Sequence, residues 1–273
     1  MSFPDRPIAY VLAASKHGSM IVNRFDYHMV DPVAGYGVGY QILNTSRFDE
    51  AEVGFLLALL NCRRKHFGDG VVAIDGGANI GVHTVEWSRH MHGWGKVTAF
   101  EAQEFVYYAL AGNVALNNCI NASARLAALG ERCGELAVPR PDYFSPASFG
   151  SLELREQTGT EFIGQRVSYA VDACSTVPMV NLDSLSFDRL DLAKLDVEGM
   201  ELDVLRGGRQ LIEKYHPIMI VEFIKSDRSA IEGFFQHMGY QVFRIGINLL
   251  AVHNSDPTLQ QISVSGDTLS LTH

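Results

Sequence analysis

The stretch from Val71 to Thr84 constrains this chain more than any other. Val71, Val72, Ala73 and Ile74 form an apolar, partly β-branched run, Asp75-Gly76-Gly77 stops it, and Ala78-Asn79-Ile80-Gly81-Val82-His83-Thr84 continues with helical apolar spacing. That order predicts a buried strand turning tightly into a helix. Gly77 and Gly81 permit positive φ and close backbone approach, and the unpaired amides of the following helix make its start electropositive. Asp75, at the strand's carboxyl end, can accept hydrogen bonds from ammonium or hydroxyl groups. The spacing Asp-x-Gly-x-x-x-Gly thus differs from the Gly-x-Gly-x-x-Gly fingerprint whose amides cradle a pyrophosphate, and it favours a cationic ligand over a phosphorylated one.

A second carboxylate stands where a nucleoside needs it. After Gly93-Trp94-Gly95 comes another apolar run, Val97-Thr98-Ala99-Phe100, ending in Glu101. In nucleotide-binding α/β folds a carboxylate at the end of the second strand takes the ribose hydroxyls. Asp75 and Glu101 together suit a ribose joined to a positively charged amino acid, which describes S-adenosylmethionine.

The 273 residues suffice for one main domain. A formal charge of −9, with Arg63-Arg64-Lys65 as the longest basic run, opposes a nucleic-acid substrate. Cys62, Cys119, Cys133 and Cys174 lack paired spacing, so they read as reduced thiols of a cytoplasmic protein. Met1 to Arg6 lacks the pattern of a signal peptide, and no apolar run reaches membrane-spanning length.

Residues 1–50 mix short apolar and aromatic groups with Gly, Asn and Asp, suggesting small strands. Glu50 to Lys65 carries a helical stripe at Val53, Leu56, Leu57 and Leu60. From Val71 strand and helix patterns alternate, which predicts βαβ units and a mostly parallel sheet. Glu104 to Asn118 is the second crossover helix, and Ala124 to Leu129 a third strand stopped by Gly130, a position able to touch an adenine. Residues 131–175 break the rhythm. Pro139, Pro141 and Pro146 with Tyr143, Phe144 and Phe149 predict a long loop, either a lid over an acceptor site or a packed excursion.

Leu190 to Val197 reads as the fourth strand, with Lys194 and Asp196 on one face. Buried charge there is costly unless paired or placed at the open end of the sheet, where ligands bind. Glu198 and Gly199 then turn the chain into a helix. Pro217 to Phe223 is a fifth strand bearing Glu222, Ser229 to Met238 a helix, and Tyr240 to Ile245 with Leu249 to Val252 an antiparallel hairpin.

The segments Val72 to Gly81, Ala99 to Ala102, Asn181 to Leu185, Lys194-Leu195-Asp196-Val197-Glu198-Gly199-Met200-Glu201 and Val204 to Gly208 resemble, in order and style, the FkbM-family S-adenosylmethionine-dependent methyltransferases. The likeness covers Glu50 to His253. Gly76 stands where many members carry an apolar residue, and Ala102-Gln103 replaces a frequent proline-containing pair. The resemblance implies a class I methyltransferase (Rossmann-like) α/β fold: a mostly parallel seven-stranded sheet, helices on both faces, and a C-terminal antiparallel hairpin. It divides the chain into an N-terminal extension (1–50), a methyltransferase domain (51–253) with the 131–175 insertion, and a polar tail (254–273). It further implies O-methylation of a hydroxyl on a sugar, glycan or secondary metabolite.

The cofactor S-adenosylmethionine is then expected against Asp75, Gly76, Gly77, Ala78, Asn79, Gly81, His83, Thr84, Glu101, Ala102, Leu129 and Gly130. Asp196 or Glu198 would orient or deprotonate a small-molecule or glycan acceptor, with Lys194 as the partner of a neighbouring carboxylate. Glu198 and Glu201 have a second reading as caps of the following helix. Asp196, Glu198 and Glu222 offer hard oxygens for a divalent cation, but strand-end carboxylates are common and no metal is expected. An NAD-dependent oxidoreductase would need the phosphate-cradling fingerprint. A nucleoside-binding module without catalysis is the remaining alternative.

Overall fold

Alternation along the central strand decides which helices cover which face of the sheet. The computed structural model describes residues 7–265 and 268–271, so 1–6, 266–267 and 272–273 lie outside the described residues. The chain opens with β1 (Tyr10–Ser15) and β2 (Gly18–Asn23), an antiparallel hairpin, followed by the short pair β3 (His28–Met29) and β4 (Gly35–Tyr36) and by α1 (Val38–Thr45). Small strands were expected here; α1 was not, because Gly37 at its N-cap and Gly39 inside its first turn hide an eight-residue amphipathic run. Next comes α2 (Glu50–Phe67). Asp49 caps its first turn by accepting from the Glu52 amide, and Arg64, Lys65 and His66 complement the dipole at its end.

The core follows as β5 (Val71–Gly76), α3 (Val82–His90), β6 (Gly95–Glu101), α4 (Glu104–Leu116) and β7 (Ala122–Leu126). After β8 (Ala128–Leu129), β9 (Gly134–Pro139) and β10 (Cys174–Val180) come β11 (Leu192–Leu195), α5 (Glu201–Gly207), α6 (Arg209–Tyr215), β12 (Ile218–Glu222), α7 (Arg228–His237), β13 (Tyr240–Ile245) and β14 (Asn248–His253). The main sheet runs β13-β14-β12-β11-β5-β6-β7, parallel except where β14 pairs with β12 and β13. This is the expected seven-stranded sheet with its terminal hairpin. Strand order reverses between β5 and β11, which opens a crevice at their carboxyl ends.

All six residues of β5 are buried. Val72 and Ile74 join Leu195, Leu205, Ile212 and Phe235 beneath α5 to α7, whereas Val71 and Ala73 join Leu56, Leu60, Trp87 and Met91 beneath α2 and α3. Full burial of each large aliphatic or aromatic side chain contributes about 1.5–3 kcal/mol, so both helical layers are held by their apolar faces.

Two expected boundaries move. The third strand ends at Leu126, and Ala128 and Leu129 leave the main sheet to pair with β10 in a small sheet ordered β8-β10-β9. The segment expected as a loop over 131–175 therefore begins and ends in strands, and its irregular part is 140–173, with 3₁₀ turns at Phe149–Ser151 and Val171–Ala173. The C-terminal residues carry a 3₁₀ turn, Pro257–Gln261, and the hairpin β15 (Ile262–Ser265) and β16 (Thr268–Leu271). Asp256 anchors that tail by pairing with Arg63 of α2, which also meets Asp191. Among the described residues, no helix is long and apolar enough to cross a membrane, and the four cysteines are free.

Candidate active site

A cavity of about 390 Å³ opens at the carboxyl ends of β5 and β11. Its floor is the turn after β5. Gly77 has φ 77°, and a Cβ there would lie 1.7 Å from the Asp196 carbonyl oxygen, so only glycine lets this turn pass the end of β11. Asn79, also left-handed at φ 50°, donates its amide to Glu101 Oε2 at 3.0 Å.

Glu101 forms the wall on the β6 side. Its Oε1 accepts the Gln103 amide at 2.7 Å, and only 6% of the residue is exposed. Burial pushes the carboxyl up to about 7 despite the amides donated by Gln103 and Asn79. Beside it, Phe100, Ala102, Ala127, Ala128 and Leu129 line the cavity with apolar side chains.

The opposite wall is charged. Lys194 is 5% exposed and its Nζ donates to Asp196 Oδ2 at 2.8 Å. Burial works against the ammonium, but the carboxylates of Asp196, Glu52 and Asp75 outweigh it and raise its pKa. Glu198 sits at φ 55° and receives the Lys225 ammonium at 2.6 Å. Burial and the Asp196 charge push the Glu198 carboxyl up to about 8 against that lysine, and the same causes, joined by Glu198, push Glu222 up to about 9. Carboxylate oxygens of Asp196, Glu198 and Glu222 lie within 4.8 Å of one another, near enough for one hard cation to touch all three. Asp196 and Glu198 already have lysine partners, so the arrangement balances two of its charges by itself.

The capping role falls to Glu201. Its carboxylate accepts the amides of Val197 at 2.9 Å and Gly199 at 3.1 Å and the Ser226 hydroxyl, closing the turn before α5. Glu198 is left to face the cavity.

The methyltransferase FkbM domain matches residues 75–242. The chain belongs to that family. "Methyltransferase sdnD" of Sordaria araneosa is 26% identical over 201 residues, 63% of this chain and 74% of that protein. Among solved structures, the methyltransferase FkbM of Methylobacillus flagellatus KT aligns at 15% identity and a TM-score of 0.46, covering 68% of this chain and 43% of its own. The precorrin-6y C5,15-methyltransferase of Geobacter metallireducens GS-15 aligns at 12% and 0.41, covering 77% and 89%. This chain thus spans under half the length of the FkbM structure it matches.

The cofactor of this family of methyltransferases is S-adenosylmethionine, and the cavity fits it. The buried Glu101 carboxylate on one wall and the apolar residues beside it offer an acceptor for hydroxyls and a surface for a base. Of the expected residues, Gly77, Ala78, Asn79, His83, Glu101, Ala102, Leu129, Lys194, Asp196 and Glu198 line the cavity together. Asp75, Gly76, Gly81, Thr84 and Gly130 do not. Asp75 lies beneath the floor, 1% exposed, with Oδ2 taken by the Thr84 hydroxyl at 2.5 Å, so it braces the turn from below.

Several wall residues escaped the sequence reading. Glu52 of α2 places Oε1 3.2 Å from His83 Nε2 and accepts from Asn248 Nδ2 at 2.9 Å. Burial opposes its charge, but His83, Lys194 and Asn248 hold the carboxyl down at about 2. In the sequence Glu52 looks like an ordinary acidic first-turn residue. Tyr36, Glu161 and Lys225 also line the cavity, and only Lys225, three residues past the Glu222 strand end, sits where the strand pattern alone points to the crevice.

Proposed function

We propose that the protein transfers a methyl group from S-adenosylmethionine to a hydroxyl of a small molecule or glycan. The carrying observation is that one cavity joins a nucleoside-type wall at Glu101 to two lysine-paired carboxylates, Asp196 and Glu198, across the β5–β11 crevice. Glu101, Gly77 and the Ala127 to Leu129 surface would hold the cofactor, whose sulfonium supplies an activated methyl group.

The chain's own residues then have to align the acceptor, exclude water and take a proton. Asp196 has one oxygen fixed by Lys194, which leaves the other to accept a hydrogen bond from the acceptor hydroxyl. Glu198, whose carboxyl is raised to about 8, would in its ionised form take the acceptor hydroxyl's proton. Glu52, Glu161 and Tyr36, supplied by the N-terminal helix and strand and by the 140–173 excursion, would bound the acceptor side and set its specificity.

Calorimetry with S-adenosylhomocysteine and NAD, followed by a screen of hydroxylated metabolites and glycans with methyl-labelled S-adenosylmethionine, tests the reading. S-adenosylhomocysteine binding with label in an ether product supports it. Tight NAD binding without a response to S-adenosylhomocysteine refutes it, label in an amine product refutes O-methylation, and cofactor binding with no transfer favours a binding module.

A further inference from the structure

Resting on the proposed role of Glu198, we infer that Lys225 is a positioning residue of the acceptor side, fixing the Glu198 carboxylate and the 140–173 excursion with one ammonium. An ammonium has three donors and no acceptor. Lys225 Nζ meets Glu198 Oε2 at 2.6 Å, the Ser151 carbonyl at 2.6 Å and Glu161 Oε2 at 2.9 Å. The three partners come from three places: the turn after β11, the Phe149–Ser151 turn, and the excursion beyond it. All of them line the same cavity as Lys225 itself.

Nothing local in the sequence requires this convergence. The lysine side chain is 12% exposed, so its charge is withdrawn from water and directed at these oxygens. The knot continues outward, since Glu161 Oε1 accepts from Tyr36 Oη at 2.8 Å and that hydroxyl also bonds His28 Nδ1 at 2.9 Å. The N-terminal β4 is thereby tied to the same point. Glu198 occupies a left-handed conformation that is strained for a non-glycine residue. Such a backbone persists where surrounding contacts over-determine it, and the lysine supplies one of those contacts.

The charges facing Glu198 come from every side: Asp196 at the end of β11, Glu201 at the start of α5 and Lys225 beyond β12, with Glu222 at the end of β12 close by. Three are acidic. Lys225 is therefore the cation that opposes protonation of Glu198, and its loss moves the Glu198 titration upward.

The test uses full-length protein labelled with ¹³C at glutamate carboxyls, with the Glu198 signal assigned by its disappearance in Glu198→Gln. Lys225→Met should raise the pH at which Glu198 titrates by about one unit or more, whereas Lys225→Arg, which keeps the charge, should leave it nearly unchanged. Amides of residues 148–163 should exchange at least ~10-fold faster in Lys225→Met and in Glu161→Gln, which cuts the knot from its other end. S-adenosylhomocysteine affinity should stay within ~3-fold in all three, because Glu101 lies on the opposite wall. An unchanged Glu198 titration in Lys225→Met overturns the inference. Should Lys225→Met not fold, unchanged exchange in Glu161→Gln overturns it instead. A shifted titration in a protein that methylates no hydroxyl sinks the proposed function and leaves the positioning role standing.

Discussion

Glu101 gives the sharpest quantitative test, because its carboxyl is buried and is the group proposed to hold the ribose. In the free protein its two oxygens accept the amides of Asn79 and Gln103, and burial raises its pKa from 4.5 to about 7. At about 1.4 kcal/mol per pH unit, that rise corresponds to roughly 3 kcal/mol of proton-linked stability. The folded state binds the proton more tightly than the unfolded one. The contribution is therefore fully present below pH 4.5 and is lost as pH rises through about 7. If the proposed ribose contact is made, two hydroxyl donors favour the ionised form, so ligand binding should release the proton below pH 7. S-adenosylhomocysteine affinity should then rise with pH between 6 and 8, approaching ~10-fold per unit at the acid end.

Glu101→Gln removes the titration, and its amide group faces one of the two backbone donors. It should weaken ligand binding by about 1.5–3 kcal/mol at pH 8 and flatten the pH dependence. Because Glu198 and Glu222 titrate higher, at about 8 and 9, the readout is the difference in slope between wild type and variant. Calorimetry at pH 6, 7 and 8 in buffers of different ionisation enthalpy measures affinity and protons released together. Equal slopes, or no protons released by wild type at pH 6, would show that the ribose is held elsewhere.

Other expectations concern residues whose environments leave one dominant cause. Asp196→Asn should bind S-adenosylhomocysteine nearly as well as wild type yet lose ~10²–10⁴ in single-turnover rate, whereas a purely structural residue would lower the melting temperature and leave turnover intact. Gly77→Ala places a Cβ against the Asp196 carbonyl at a left-handed position, so we expect more than ~3 kcal/mol of destabilisation in urea melts, together with loss of cofactor binding. Arg63→Met strands the buried carboxylate of Asp256, which should cost about 3–5 kcal/mol and speed amide exchange across 257–263 first; Asp191 keeps Arg189 and should not follow.

The elements legible in the sequence are those whose partners are close in sequence or repeat with a fixed period. β5, its glycine turn and α3 follow from composition alone, and the βα alternation implies the parallel sheet. Elements that answer to distant partners are less visible. Ala128 and Leu129 extend the pattern of β7 but pair with Met179 and Val180, which arrive 51 residues later. Glu52 and Asn248 lie outside the matched domain, 196 positions apart, and meet only because α2 and the hairpin flank the same crevice.

The turn after β11 shows why a site can be half read. Glu198 and Glu201 stand three apart at the start of one helix, and either could cap it by the ordinary rules. Spacing does not choose between them. The choice is made by two successive left-handed residues, Glu198 at φ 55° and Gly199 at φ 92°, which swing the amides of Val197 and Gly199 onto Glu201. That same swing carries the Glu198 side chain to the other side of the turn, toward Lys225. Capping and chemistry are therefore divided between the two glutamates by backbone conformation, and Gly199→Ala, which penalises that conformation and sets a Cβ 2.8 Å from Gln157 Nε2 and 3.3 Å from the Lys225 carbonyl, should perturb both. The expected signature is a loss of about 1–2 kcal/mol in stability together with a displaced Glu198 titration, with S-adenosylhomocysteine affinity nearly unchanged. Stability loss with the Glu198 titration unmoved would mean that the two roles are set independently.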